Sequence, residues 1–104
     1  MNLTKDADLL ACCLYKEFLN RRKSGIPKRQ ANYFDSTFYK SSDKISSWCS
    51  EDFHDTVVEL KHEGLAKMYI DGGFAITDAF VIYMENRFRN NLIEVTDFIA
   101  KFIP

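Results

Sequence analysis

The sequence predicts an α+β domain built from helices and one β-hairpin, and three observations predict it. The stretch from Ser50 to Met84, SEDFHDTVVELKHEGLAKMYIDGGFAITDAFVIYM, reads as helix, short strand, two-glycine turn, return strand and helix. Apolar residues recur at helical spacing around it, as Leu10, Leu14 and Phe18 before and as Phe80, Met84 and Phe88 after. At 104 residues the chain is long enough for one core and not for two, so a single domain over 1–104 is expected.

Thr4 is placed to cap the first helix. Asp6 and Asp8 follow in its first turn, where carboxylates suit the positive end of the helix dipole. Leu9, Cys12, Cys13, Tyr15 and Leu19 widen the stripe of Leu10, Leu14 and Phe18, and a broad stripe predicts burial against more than one neighbour. Arg21, Arg22 and Lys23 fall in the last turn, and Gly25 stops the helix. Ile26-Pro27 predicts one extended step, the site of a very short first strand. Pro27 then opens a second helix over about Lys28 to Phe34, with Ala31 and Phe34 turned inward. Asp35 to Cys49 is serine-rich, but Phe38, Tyr39, Ile45 and Trp48 interrupt the polar run. That pattern predicts an ordered connector pinned by aromatic residues, with a helical turn near Asp43 to Ser46.

A third helix starts at about Ser50 and buries Phe53, Val57 and Leu60, with Val58 on the flank. Gly64 ends it in the left-handed conformation and Leu65 closes the cap. Lys67 to Ile70 alternates as a strand, Asp71-Gly72-Gly73 makes a tight turn, and Phe74-Ala75-Ile76 returns. Thr77 caps the next helix. Helical spacing then continues through Phe88, Leu92, Val95, Ile99 and Phe102, which predicts a C-terminal helix over about 78–103, unbroken or bent at Asn90.

The run ELKHEGLAKMYIDGGFAITDAFVIYMEN resembles small bacterial winged helix-turn-helix proteins, and short proteins of the YjcQ-like type are similar to it. Leu60, Gly64-Leu65, the hairpin, Ile76-Thr77-Asp78 and Tyr83-Met84-Glu85 carry the resemblance. It implies a winged helix-turn-helix with a two- or three-stranded β-wing and a C-terminal helix, in a bacterial protein. Winged helices serve both DNA and protein partners, so the fold does not choose the function.

Composition excludes some classes. The chain is 46% hydrophobic and 28% charged, as ordinary globular proteins are, and its net charge of -1 gives no bulk attraction to nucleic acid. Cys12, Cys13 and Cys49 make an odd count without metal-type spacing, which suggests reduced thiols in a cytoplasmic protein. The N-terminus lacks the basic lead and apolar run of a signal peptide, and no run approaches the ~20 apolar residues of a membrane helix. His54 and His62 stand two turns apart, whereas metal ligands on one helix sit three or four residues apart. Glu59 and Glu63 stack on a solvated face, and no nucleophile stands with a base. No enzyme, cofactor or metal is expected.

Charge distribution says more. In a DNA-binding winged helix the third helix enters the major groove. Here its exposed positions carry Glu51, Asp52, Asp55, Glu59 and Glu63, which repel phosphate, and the turn of the hairpin has no Arg or Lys. Glu51, Asp52, Asp55 and Glu59 therefore form a candidate face for a protein partner. The cations cluster elsewhere. Arg21, Arg22, Lys23, Lys28 and Arg29 are a candidate nucleic-acid contact, or a solvated helix end and loop. The C-terminal stripe of Phe88, Leu92, Val95, Ile99 and Phe102, flanked by Ile93, Phe98 and Ile103, packs on the first helix or forms a homodimer interface. The leading expectation is a non-enzymatic regulatory or adaptor module acting through protein–protein interaction. The alternative is a bacterial DNA-binding transcriptional regulator that uses the basic 21–29 patch. No membrane partner is expected.

Overall fold

The first helix, α1, runs Lys5–Lys23 in a computed structural model that describes residues 1–89 and 91–102. Thr4 caps it: its hydroxyl accepts a hydrogen bond from the Ala7 N–H at 3.2 Å. At the other end Gly25 takes φ 91°, its N–H donates to the Arg22 carbonyl at 3.0 Å, and the Ile26 N–H donates to the Arg21 carbonyl at 3.0 Å. These paired bonds satisfy carbonyls the helix leaves open. The helix is buried along most of its length, from Ala7 to Phe18. Helices from both halves of the chain pack around it, which is what its broad apolar stripe requires.

The next segment departs from expectation in two ways. Helix α2 covers only Lys28–Ala31, and the first strand, β1, is Tyr33–Phe34 rather than Ile26-Pro27. Pro27 has no N–H to offer a strand, while its carbonyl accepts from Gln30 and Ala31 at 3.0 and 2.9 Å and so opens a helical turn. Tyr33 and Phe34 are β-prone and find strand partners in Ala75 and Phe74. Ala31 and Phe34 are both buried. The connector that follows holds a 3-10 turn at Phe38–Ser41 and further turns in which Ile45 and Trp48 N–H groups bond back to Ser42 and Ile45 carbonyls. Tyr39 and Ile45 are buried, and Phe38 and Trp48 pack at the edge of the core, so apolar side chains do pin this serine-rich run.

Helix α3 spans Ser50–His62. Gly64 follows at φ 78°; the Leu65 N–H donates to the Leu60 carbonyl and the Gly64 N–H to the Lys61 carbonyl, each at 2.9 Å. Leu65 is fully buried, as the apolar residue of such a cap should be. Strands β2 (Ala66–Met68) and β3 (Phe74–Ile76) complete an antiparallel sheet of order β1-β3-β2. The two-residue period sorts its faces. Phe34, Phe74, Met68, Ala66 and Ile76 face the core, and Tyr33, Ala75 and Lys67 lie abreast on the opposite face, where Tyr33 and Lys67 are exposed and Ala75 is covered.

Helix α4 (Asp78–Phe88) is capped by Thr77, whose hydroxyl accepts from the Phe80 N–H at 3.2 Å and donates to the Gly64 carbonyl at 2.8 Å. One threonine thus joins the end of α3 to the start of α4. Of the two readings of residues 78–103, the chain takes the broken one. Arg89 turns left-handed at φ 53°, and Asn91 caps a separate helix, α5 (Leu92–Ala100), by accepting from the Glu94 N–H at 3.1 Å. Asn90, the expected bend, and Ile103 lie outside the described residues. Helix α5 packs chiefly on α1, and Asp8 and Arg87 form a two-pronged ion pair between α1 and α4. Among the described residues the fold comprises five α-helices, one 3-10 turn and a small three-stranded antiparallel sheet. None of these helices is long and apolar enough to cross a membrane.

Candidate protein-interaction surface

The acidic helix presents its carboxylates unevenly. Glu51, Asp52 and Asp55 are exposed in the first half of α3, and among the described residues none is in an ion pair or side-chain hydrogen bond. Glu63, just past the helix, is exposed as well. Glu59 is different. Its two carboxylate oxygens accept from the Thr4 N–H at 2.9 Å and from the Thr4 hydroxyl at 2.8 Å. It ties the start of α1 to α3, so of the four residues expected on the partner face Glu59 is half-buried and engaged inside the chain.

An open groove runs beside the first half of α3, with a volume of about 480 Å³. Helix α3 forms one wall, residues 36–40 of the connector a second, and the hairpin a third. Its base is apolar: Tyr39, Phe53, Val57, Met68 and Phe74 line it. The rings interlock there, with centroids 4.9 Å apart for Tyr39 and Phe53 and 5.9 Å for Phe53 and Phe74. Glu51, His54 and Asp55 stand on the rim, with Lys40 opposite. Reading the sequence by helical faces finds the carboxylates. It misses the groove, because Ser36, Thr37 and Lys40 come from a stretch with no periodic pattern.

The basic patch is largely engaged in holding the fold. Arg21 is half-buried; its Nε donates to Glu17 at 2.8 Å, its Nη1 donates to the Tyr33 and Ala31 carbonyls at 2.6 and 3.2 Å, and its guanidinium lies 4.4 Å from the Phe34 ring centre. It fastens β1 to α1. Arg22 donates to the Ile26 carbonyl at 3.2 Å, and Lys28 pairs with Asp78 at 2.8 Å. Lys23 and Arg29 are exposed, and among the described residues they make no ion pair or side-chain hydrogen bond.

The C-terminal stripe is also turned inward. Phe88, Val95 and Ile99 are buried within the single chain, and Leu92 and Phe102 are half-buried. Phe88 meets Phe98 edge-on at 5.5 Å, and Phe98 meets Phe102 at 5.2 Å. The apolar side chains left to solvent on these helices are instead Ile82 and Ile93.

Two further places carry polar side chains. The outer face of the sheet carries Tyr33 and Tyr69 with ring centres 6.1 Å apart, and Lys67 lies 5.7 Å from the Tyr69 ring. The Tyr33 hydroxyl donates to Asp71 at 3.2 Å; desolvation of the phenol and this carboxylate raise its pKa above the ordinary value. A Cβ at Gly73 would lie 1.9 Å from that hydroxyl, so any side chain there would displace the Tyr33 ring. A wider polar cleft of about 920 Å³ opens between α1, the connector and α5, lined by Lys16, Lys40, Lys44, Ser41, Ser42 and Cys13 among others. Burial pushes the Cys13 thiol upward despite Ser42 and the lysines, the opposite of what a reactive cysteine needs. Burial likewise pushes Cys12 up to about 12. Among the described residues no group of three or more His, Cys, Asp or Glu side chains is arranged to hold a metal ion. Comparison of the chain with family models, with characterised proteins and with solved structures finds no match.

Proposed function

We propose that this chain is a non-enzymatic regulatory or adaptor module of the winged-helix type that acts by binding another protein through α3. The observation that carries the reading is the exposed first half of α3, where Glu51, Asp52 and Asp55 stand without internal partners beside an apolar groove. Unpaired carboxylates around an apolar floor suit a basic, partly apolar protein surface, since complementary charge steers and orients such encounters. The winged-helix reading draws support from α3 leading directly into the β2–β3 hairpin, from α4 following it, and from a sheet whose last strand lies centrally. A cytoplasmic, reducing setting is in keeping with three free cysteines.

The alternative, a DNA-binding regulator, has less to stand on. Arg21, Arg22 and Lys28 already hold intramolecular partners, which leaves Lys23 and Arg29 as the free cations of the patch among the described residues. Binding to a labelled mixed-sequence DNA duplex across a salt series separates the two readings. The protein-binding reading expects no saturable binding at low salt. Tight binding with a steep salt slope, lost on Lys23→Glu with Arg29→Glu, would establish the DNA reading instead. In parallel, Glu51→Lys with Asp52→Lys and Asp55→Lys should abolish the capture of protein partners that the wild-type chain shows.

A further inference from the structure

We infer that the groove between α3, the connector and the hairpin receives a basic peptide segment of a partner protein, with one large apolar side chain as its anchor. The inference rests on the protein-binding reading above and adds where the partner sits and what it must carry. Two features of the groove act together. The first is the apolar base, with Met68 as its half-exposed member and the ring edges of Tyr39, Phe53 and Phe74 around it. At about 480 Å³ the groove falls within the ~300–1,000 Å³ typical of pockets that enclose a ligand group. An apolar side chain entering it loses water without leaving a polar group unpaired.

The second feature is charge, and it comes from α3. Glu51 and Asp55 rim the groove, with Asp52 beside them, and among the described residues none of the three is in an ion pair or side-chain hydrogen bond. Lys40 on the opposite rim and His54 stand against them. As lining residues, Glu51 and Asp55 lie within about one Debye length, ~8 Å at physiological salt, of anything seated in the groove. The field therefore favours lysine or arginine flanking the anchor and disfavours a phosphate backbone.

The test uses the full chain and a short amphipathic Lys/Leu peptide with leucines at helical spacing. A control peptide has every leucine replaced by serine. Backbone amide NMR should show the leucine peptide perturbing residues 36–40, the first half of α3, Met68 and 72–74. The leucine peptide should bind about tenfold or more tighter than the serine peptide, the worth of burying one large apolar side chain. Ser36→Trp and Thr37→Trp, both at exposed rim positions, should each weaken it by about tenfold; the thermal midpoint should hold for Ser36→Trp, whereas Thr37→Trp also gives up the hydroxyl bond to Asp35. Equal binding of the serine peptide, shifts confined to the α1–α5 cleft, or full binding to both tryptophan variants would overturn the groove assignment. So would self-association of the chain that Glu51→Lys with Asp55→Lys removes, since a second copy would then be the occupant. If only the tryptophan variants fail to act, while the triple lysine reversal still abolishes partner capture, the groove is wrong and the acidic-helix reading stands. If that reversal leaves capture intact, the reading itself falls.

Discussion

Arg21 shows how far a single side chain can differ from its appearance in a sequence. In the chain it belongs to a cationic run; in the fold its planar fork spans Glu17, two backbone carbonyls and a phenylalanine face. Lysine offers neither the fork nor the flat stacking surface. Arg21→Ala should cost about 2–3 kcal/mol, and Arg21→Lys should recover little of it, whereas Arg29→Ala should stay within about 0.5 kcal/mol. Urea unfolding midpoints of the three variants check this. Cys12 makes a second prediction, with its sign fixed by burial. Its thiol ionises near its ordinary 9.0 in the unfolded chain but near about 12 in the fold. The stability this gives is complete below the unfolded value and is lost as pH rises from there towards the folded one. For the single thiol, the loss at a pH about 1.5 units above the unfolded value is about 2 kcal/mol. Cys12→Ala lacks that slope, so the stability gap between wild type and variant should shrink by about this amount between neutral and alkaline urea titrations. A constant gap would mean that the thiol ionises equally in both states.

Elements with a local chemical signal were legible, and those set by tertiary pairing were not. Thr4, Gly25, Gly64, Thr77 and the Phe74–Ile76 return strand announce themselves because caps and turns are decided by one or two residues. The boundary between α2 and β1 was misplaced because nothing local tells Tyr33 and Phe34 that Ala75 and Phe74 wait across the sheet. The acidic helix was readable as a helical face, but Glu59 lost its place on that face to a contact with Thr4 fifty-five residues away in sequence. The groove was hidden for the same reason. Its three walls are far apart in the chain, and one has no period. At this scale Thr77 is the joint to test, since it caps α4 and also bonds the carbonyl of Gly64 at the end of α3. Thr77→Ala should cost about 1–2 kcal/mol, and Thr77→Ser should restore most of it, as read from thermal midpoints. Loss with both variants would point to the threonine methyl rather than the hydroxyl.

The whole molecule is polarised in two senses, and they meet different fates. Charge polarity reaches the surface, with unpaired carboxylates along the first half of α3, while much of the opposing basic patch is drawn into the fold. The apolar excess of the C-terminal half is drawn in as well. Phe88, Val95 and Ile99 close over α1, which is why α1 is buried on so many sides. That packing fixes what substitutions there must do. Ile99→Ala removes a buried side chain from between α5 and α1 and should cost about 2–5 kcal/mol. Ile99→Glu would bury a charge in the same place and should leave too little stability for a folded chain, given that small domains hold only about 5–15 kcal/mol in all. Ile93 lies on the same helix but is 72% exposed, so Ile93→Glu should keep the thermal midpoint of the wild type. Sedimentation and circular dichroism on the three variants together decide the role of the stripe. Unfolding at position 99 with no change at 93 makes it the core of one chain. A folded Ile99→Glu monomer derived from a wild-type dimer would make it an interface, and the packing of α5 on α1 would then have to be tolerant of exposure.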